Sequence, residues 1–165
     1  MTAPPDVTAL VLGPLAGRPT PDWQRAPAGK WTPAQIVEHL ALAMESSAAA
    51  FRERRTKGPM VRRSVTLRER LAKLFVFGLG RFPWGLKSPQ RASPAPRVEG
   101  PAAEARFRAG LAAWEALERA MLPARRHDLF VKHPRFGDLT LEEWMRFHAI
   151  HARHHARQIR ERLAG

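Results

Sequence analysis

Apolar residues recur at intervals of three and four along most of this chain, which is the period of helices that bury one face. The first run is Ile36, His39, Leu40, Ala43, Met44, Ser47 and Phe51. Ahead of it stands Thr32-Pro33-Ala34-Gln35: a capping hydroxyl, a proline suited to the first helical position and a glutamine that completes a capping box. Arg52, Glu53 and Arg55 mark where this helix leaves the core, and Lys57-Gly58-Pro59 breaks it. A second run, Leu67, Leu71, Leu74, Phe75 and Gly78, predicts a helix from about Thr66 with those positions buried. A third, Phe107, Leu111, Trp114, Leu117 and Met121, predicts a helix from about Ala102 to Leu122, ended by Pro123. The fourth opens on another capping box, Thr140-Leu141-Glu142-Glu143, and runs to about Leu163. Its stripe is Leu141, Trp144, His148, His151, His155 and Ile159, with Arg146, Arg153, Arg157 and Arg160 on the opposite face.

The segments between these runs read differently. Gly80 to Pro101 holds five prolines and three glycines, so it predicts a long crossing rather than a helix. Such a crossing permits the next helix to run parallel to its predecessor, where a tight turn would force antiparallel neighbours. Leu129 to Pro134 reads as irregular, closed by a turn at Phe136-Gly137-Asp138. Val7 to Leu15 predicts a short additional helix, joined to Trp31 through Pro21 and Pro27. The expectation is an all-α four-helix bundle forming one domain over residues 1–165. Residues 1–31 are its N-terminal helix and connection, and 80–101 its crossover between the second and third main helices.

Composition narrows the chemistry. Cysteine is absent, which removes disulfides, thiolate metal sites and a cysteine nucleophile, and leaves histidine and carboxylate as metal ligands. That absence fits a reducing cytoplasm, and Met1 to Pro14 does not read as a secretory signal. The most apolar segment, Leu71 to Leu79, is interrupted by Lys73 and Gly78 and is too short to span a bilayer. The formal charge of +13 comes mostly from arginine and is densest from Arg52 to Lys73. That stretch could meet phosphates of nucleic acid or an anionic surface. No aromatic stacking pattern accompanies it, so a solvated helix face is the preferred reading.

The histidines carry the site. His151 and His155 are four apart, so their imidazoles leave one helix face about a turn from each other. Two nitrogens at that spacing can reach one ion at roughly 2.0–2.1 Å. A lone inward histidine is usually a hydrogen-bonded core residue, but several on one stripe would leave buried nitrogens unsatisfied without a common partner. His39 is inward on another helix and can supply a third vertex. His148 with His151 is also compatible with one face. His154 is turned toward the arginine face and is a candidate acid/base, a supporting residue or simply a partly exposed side chain. His133, before a proline, reads as structural, and His127 has no evident partner.

Trp31-Thr-Pro-Ala-Gln-Ile-Val-Glu-His39-Leu resembles the first motif of the DinB/YfiT-like metal-binding bundles, and His151-Ala-Arg-His-His155-Ala-Arg-Gln-Ile resembles their last-helix motif. His133 to Trp144 is similar to one branch of that superfamily, a domain of unknown function. The resemblance implies a four-helix bundle with a long crossover and a metal near one end, held by His39, His151 and His155. It also implies a homodimer. Zinc, nickel and iron all occur among members, and those with known chemistry include transferases that use low-molecular-weight thiols.

The expectation is therefore a divalent-metal-dependent enzyme acting on a small molecule, with His154 as a candidate catalytic residue. The competing expectation is a basic helical module for nucleic acid or an anionic surface, its metal site structural or without turnover.

Overall fold

The computed structural model describes residues 6–58, 61–80, 82, 88–121 and 128–165. The expected ends at Pro59, Leu122 and Pro123, and His127, lie outside them. A short helix α1 (Val7–Leu12) runs through a 3₁₀ turn (Gly13–Leu15) toward α2 (Thr20–Gln24). The main elements follow: α3 (Pro33–Arg55), α4 (Leu67–Lys73), α5 (Gly100–Ala120) and α6 (Leu141–Ala164). The capping boxes at Thr32 and Thr140 are both formed, and a third, Thr66 with Glu69, starts α4.

Helices α3 and α5 form the most extensive pairing in the fold. Arg106 meets Glu38 and Glu45, Gly110 lies under Ala41 and Met44, and the Trp114 indole donates to the Met44 carbonyl at 2.9 Å. The correspondences rise together along both helices, so α3 and α5 run parallel. His39 faces His151 and His155 while Ser47 faces His148, which sets α6 antiparallel to α3. Lys73 meets Glu143 and the Phe77 carbonyl meets Arg146, so α4 runs with α6. Helix α5 is thus parallel to α3 and opposed to α4, its immediate predecessor.

The core between these helices is apolar and closed, with Ile36, Phe51, Phe107, Leu139, Leu141 and Ile159 all fully buried. Gly100 opens α5 against the Trp23 indole; a Cβ there would stand 2.7 Å from the ring, so glycine is a packing requirement.

Two expectations change. The stripe of α4 points outward: Leu67 is 72% exposed, Leu71 57%, Leu74 69% and Phe75 40%. The opposite face docks instead, with Val76 buried and Phe77 edge-on to Phe136. Polar contacts decide the choice. Lys73 and Arg62 both pair with Glu143, and the Arg63 amide donates to the Asp138 carboxylate at 3.0 Å. A π-helical turn over Leu74–Gly78 then redirects the last residues.

The segment read as irregular is a two-stranded antiparallel ribbon, β1 (Phe130–His133) with β2 (Gly137–Thr140). Three residues link the strands, and Gly137 follows them at φ +71°, the left-handed conformation such a loop requires. The ribbon leads directly into the Thr140 cap and so fixes where α6 begins. No helix among the described residues is long and apolar enough to cross a membrane.

Candidate metal centre

Helix α3 contributes one imidazole and α6 contributes two. His39, His151 and His155 are all buried, and their nearest nitrogens lie within 4.8 Å of one another. His151 Nε2 stands 3.1 Å from His39 Nε2 and 3.0 Å from His155 Nε2. The rings meet nearly edge-on, at 87° for His39 with His151 and 72° for His151 with His155. The i, i+4 spacing in α6 and the antiparallel approach of α3 together produce this convergence.

Hydrogen bonds on the far side of two rings fix which nitrogen is free. His39 Nδ1 donates to the Ala92 carbonyl at 2.6 Å, and His155 Nδ1 donates to Gln158 Oε1 at 2.7 Å. Each therefore presents an Nε2 lone pair to the cluster. Among the described residues, His151 Nδ1 is buried without a hydrogen-bond partner. If His151 carries a proton on Nε2 it satisfies only one of its neighbours, whereas a cation between the three rings would satisfy all of them. The two separations to His151 are close to the roughly 3.3 Å between nitrogens that share one tetrahedral ion at about 2.0–2.1 Å. The residues present fit a divalent metal ion.

Burial keeps the set neutral. It pushes His39, His151 and His155 below the ordinary histidine range, and for His151 and His155 the neighbouring imidazoles add to the effect. Neutral imidazole is the form that ligates.

The cluster forms part of the wall of a cavity of about 560 Å³, a volume suited to a small organic molecule. Trp31 closes one side, 4.9 Å from the His39 ring, while Phe147 stacks on His151 at 5.2 Å. His154 also lines the cavity but is not one of the three clustered rings. Its Nε2 accepts from the Gln158 amide at 3.2 Å, and burial together with Arg157 lowers its pKa. His148 is drawn away from the cluster: its Nε2 lies 2.9 Å from Ser47 Oγ, and burial holds it down to about 3. His133 is buried against Phe136, with ring centroids 4.3 Å apart, and its Nδ1 accepts from the Arg135 amide. It still faces the cavity, so the residue read as structural also forms part of the wall.

Two supporting groups were not assigned roles from sequence. Gln158 lies three residues beyond His155, a spacing that places both on one helix face and could have flagged it. Ala92 acts through its backbone carbonyl, presented by a 3₁₀ turn (Gln90–Ala92) in the crossing, and nothing in its side chain signals that role.

A histidine triad in a helical bundle of this connectivity defines a class of metal-binding domains. The chain belongs to the DinB superfamily, which it matches over residues 6–159. No curated protein and no solved structure matches it.

Proposed function

We propose that this chain is a divalent-metal-dependent enzyme acting on small molecules, with His39, His151 and His155 as the ligands. The observation that carries the reading is the convergence of three neutral Nε2 atoms on the wall of a cavity, two of them oriented by fixed acceptors. An ion held by three neutral nitrogens keeps its full charge and an open position, and supplies Lewis-acid chemistry there. The surrounding residues orient and exclude water: Trp31, Phe82 and Phe147 wall the site with apolar surface. His154 is the proposed proton-handling residue, and a proton arriving at its Nε2 displaces the bond from Gln158. The family resemblance favours a transferase, and because the chain has no cysteine its sulfur nucleophile would have to arrive with a low-molecular-weight thiol.

Metal analysis of untagged protein tests this directly. Wild type should carry close to one equivalent of zinc, nickel or iron after reconstitution, and His151→Ala far less. Equally low content in both would overturn the assignment.

The nucleic-acid reading is weakened by where the basic charge goes. Arg62 and Lys73 pair with Glu143, Arg63 with Glu69, and Lys57 with Glu53. Four of the nine cationic side chains from Arg52 to Lys73 are thus held in ion pairs within the chain, by three carboxylates. A homodimer, which the resemblance implies, finds support in the exposed leucines of α4, an apolar patch of a kind monomers rarely leave open.

A further inference from the structure

Among the described residues, the cavity beside the histidine cluster is lined by five cationic side chains, Lys30, Arg91, Arg135, Arg157 and Arg162, and by no carboxylate. The lack of a carboxylate holds for the whole chain, because all 15 of its aspartates and glutamates lie among the described residues. The nearby acids are engaged elsewhere. Glu38 accepts from the Ala95 amide and pairs with Arg106; Glu161 lies outside the lining and pairs at 3.5 Å with Arg157, so of the five cations Arg157 is the one with a carboxylate beside it on α6.

The cations occupy two edges of the opening. Arg162 is tied across one edge by a bond from its Nε to the Trp31 carbonyl at 3.3 Å, next to Lys30 in the chain. At the other edge, Arg91 from the crossing meets the ribbon loop: Arg91 and Pro134 line one shallow depression, and Arg135 follows Pro134. Burial first and then His148 hold the His133 pKa down to about 3, and both guanidiniums add to that effect. Neither Lys30 nor Arg91 has a carboxylate partner among the described residues. Between the two edges the walls are flat and apolar, supplied by Trp31, Phe82, Phe136, Trp144 and Phe147.

A cleft with one sign of charge at its rim and low-polarity walls concentrates ions of the opposite sign. A guanidinium fork matches a planar or tetrahedral oxyanion, and aromatic walls match a flat apolar body. We infer that the cavity is an anion-selective substrate site for a small flat molecule bearing a carboxylate or phosphate, with Arg91 and Arg135 gripping the oxyanion and the aromatic walls holding the body beside the histidine cluster. The inference rests on the cavity being the substrate site of the proposed enzyme, and it makes Arg91 a specificity residue.

The test uses metal-free protein, so that direct ligation of an anion to metal cannot mimic the effect. Calorimetry compares 2-naphthoate, 2-naphthyl phosphate, the neutral 2-naphthamide and the cationic 2-naphthylmethylamine. At least one anion should bind about tenfold or more tighter than the amide, with the amine weakest. Which anion leads identifies the preferred head group. Arg91→Ala should weaken the anions about tenfold while the amide is unchanged, Arg91→Lys should restore part of the loss, and added salt should weaken only the anions. An amide that binds as tightly as both anions, or anion affinity indifferent to Arg91 and Arg135, overturns the proposal; so does absence of binding by all four. Metal content measured on the same preparations separates the two readings. Anion selectivity without metal binding would defeat the enzyme assignment alone, and metal binding without selectivity would defeat this inference alone.

Discussion

Gln158 joins His155 to His154: its carbonyl oxygen accepts from His155 Nδ1 at 2.7 Å while its amide donates to His154 Nε2 at 3.2 Å. One side chain thereby fixes the tautomer of a cluster histidine and the orientation of the histidine beside it. Gln158→Leu removes the acceptor and frees the His155 ring to flip. Metal affinity should fall about 10–100-fold, as for other groups that orient a ligating histidine. Competition against a chelator of known affinity checks this. His154→Ala should leave that affinity nearly unchanged and lower turnover instead. Equal loss of metal in the two variants would make His154 a positioning residue.

Acid should destabilise the metal-free protein earlier than its carboxylates alone would dictate. Burial holds His133 and His148 down to about 3, and pushes His151 and His155 well below the ordinary range. In the unfolded chain each titrates near ~6.5. The folded state therefore binds fewer protons across the window from about 6.5 down to about 3, and stability falls as pH is lowered through it. Each histidine contributes on the order of 1 kcal/mol per pH unit. Urea midpoints at pH 7.5 and 5.5 should differ clearly, and His148→Gln should flatten the dependence. A midpoint that does not move with pH rules this account out.

The leucine stripe of α4 should set the oligomeric state. Leu71 and Leu74 are 57% and 69% exposed, so replacing both with glutamate costs the monomer little. Light scattering should show a dimer for wild type and a monomer for the double variant, with melting temperatures of the dissociated chains within a few degrees of each other. Identical masses for the two proteins would place any interface elsewhere.

Gly100→Ala should destabilise the bundle by about 1–3 kcal/mol, because the new methyl group meets the Trp23 indole at 2.7 Å. Chemical denaturation measures the loss, and Trp23→Leu in the same background should recover part of it. A neutral Gly100→Ala would mean that the indole moves aside without cost.

The sequence disclosed the parts of this molecule that are governed by local periodicity. Thr32 and Thr140 start their helices because cap and partner lie three residues apart, and the His151–His155 pair is equally local. His39 as the third member rested on resemblance to a family motif, since no local rule brings α3 to α6. The buried face of α4 is not legible locally, because the helix offers two stripes. Leucine spacing favours one, yet Glu143, 70 residues away in the chain, pairs with Lys73 on the other, and Asp138 holds the Arg63 backbone amide just ahead of the helix. The ribbon escaped notice for a related reason. Its burial runs buried, intermediate, exposed, buried in β1 and is nearly continuous in β2, so neither strand alternates.

His39 and His151 stand 112 residues apart in the chain, on helices that meet only when the bundle is assembled. A chain without cysteine has no disulfide to restrain its unfolded ensemble. An ion bridging these two helices would act as a removable staple across that long loop, comparable in kind to a cross-link worth about 4–5 kcal/mol in the chain-entropy account. Loading the site would then raise the melting temperature far more than a ligand held by α6 alone, and chelation would return the protein to the margin set by its apolar core.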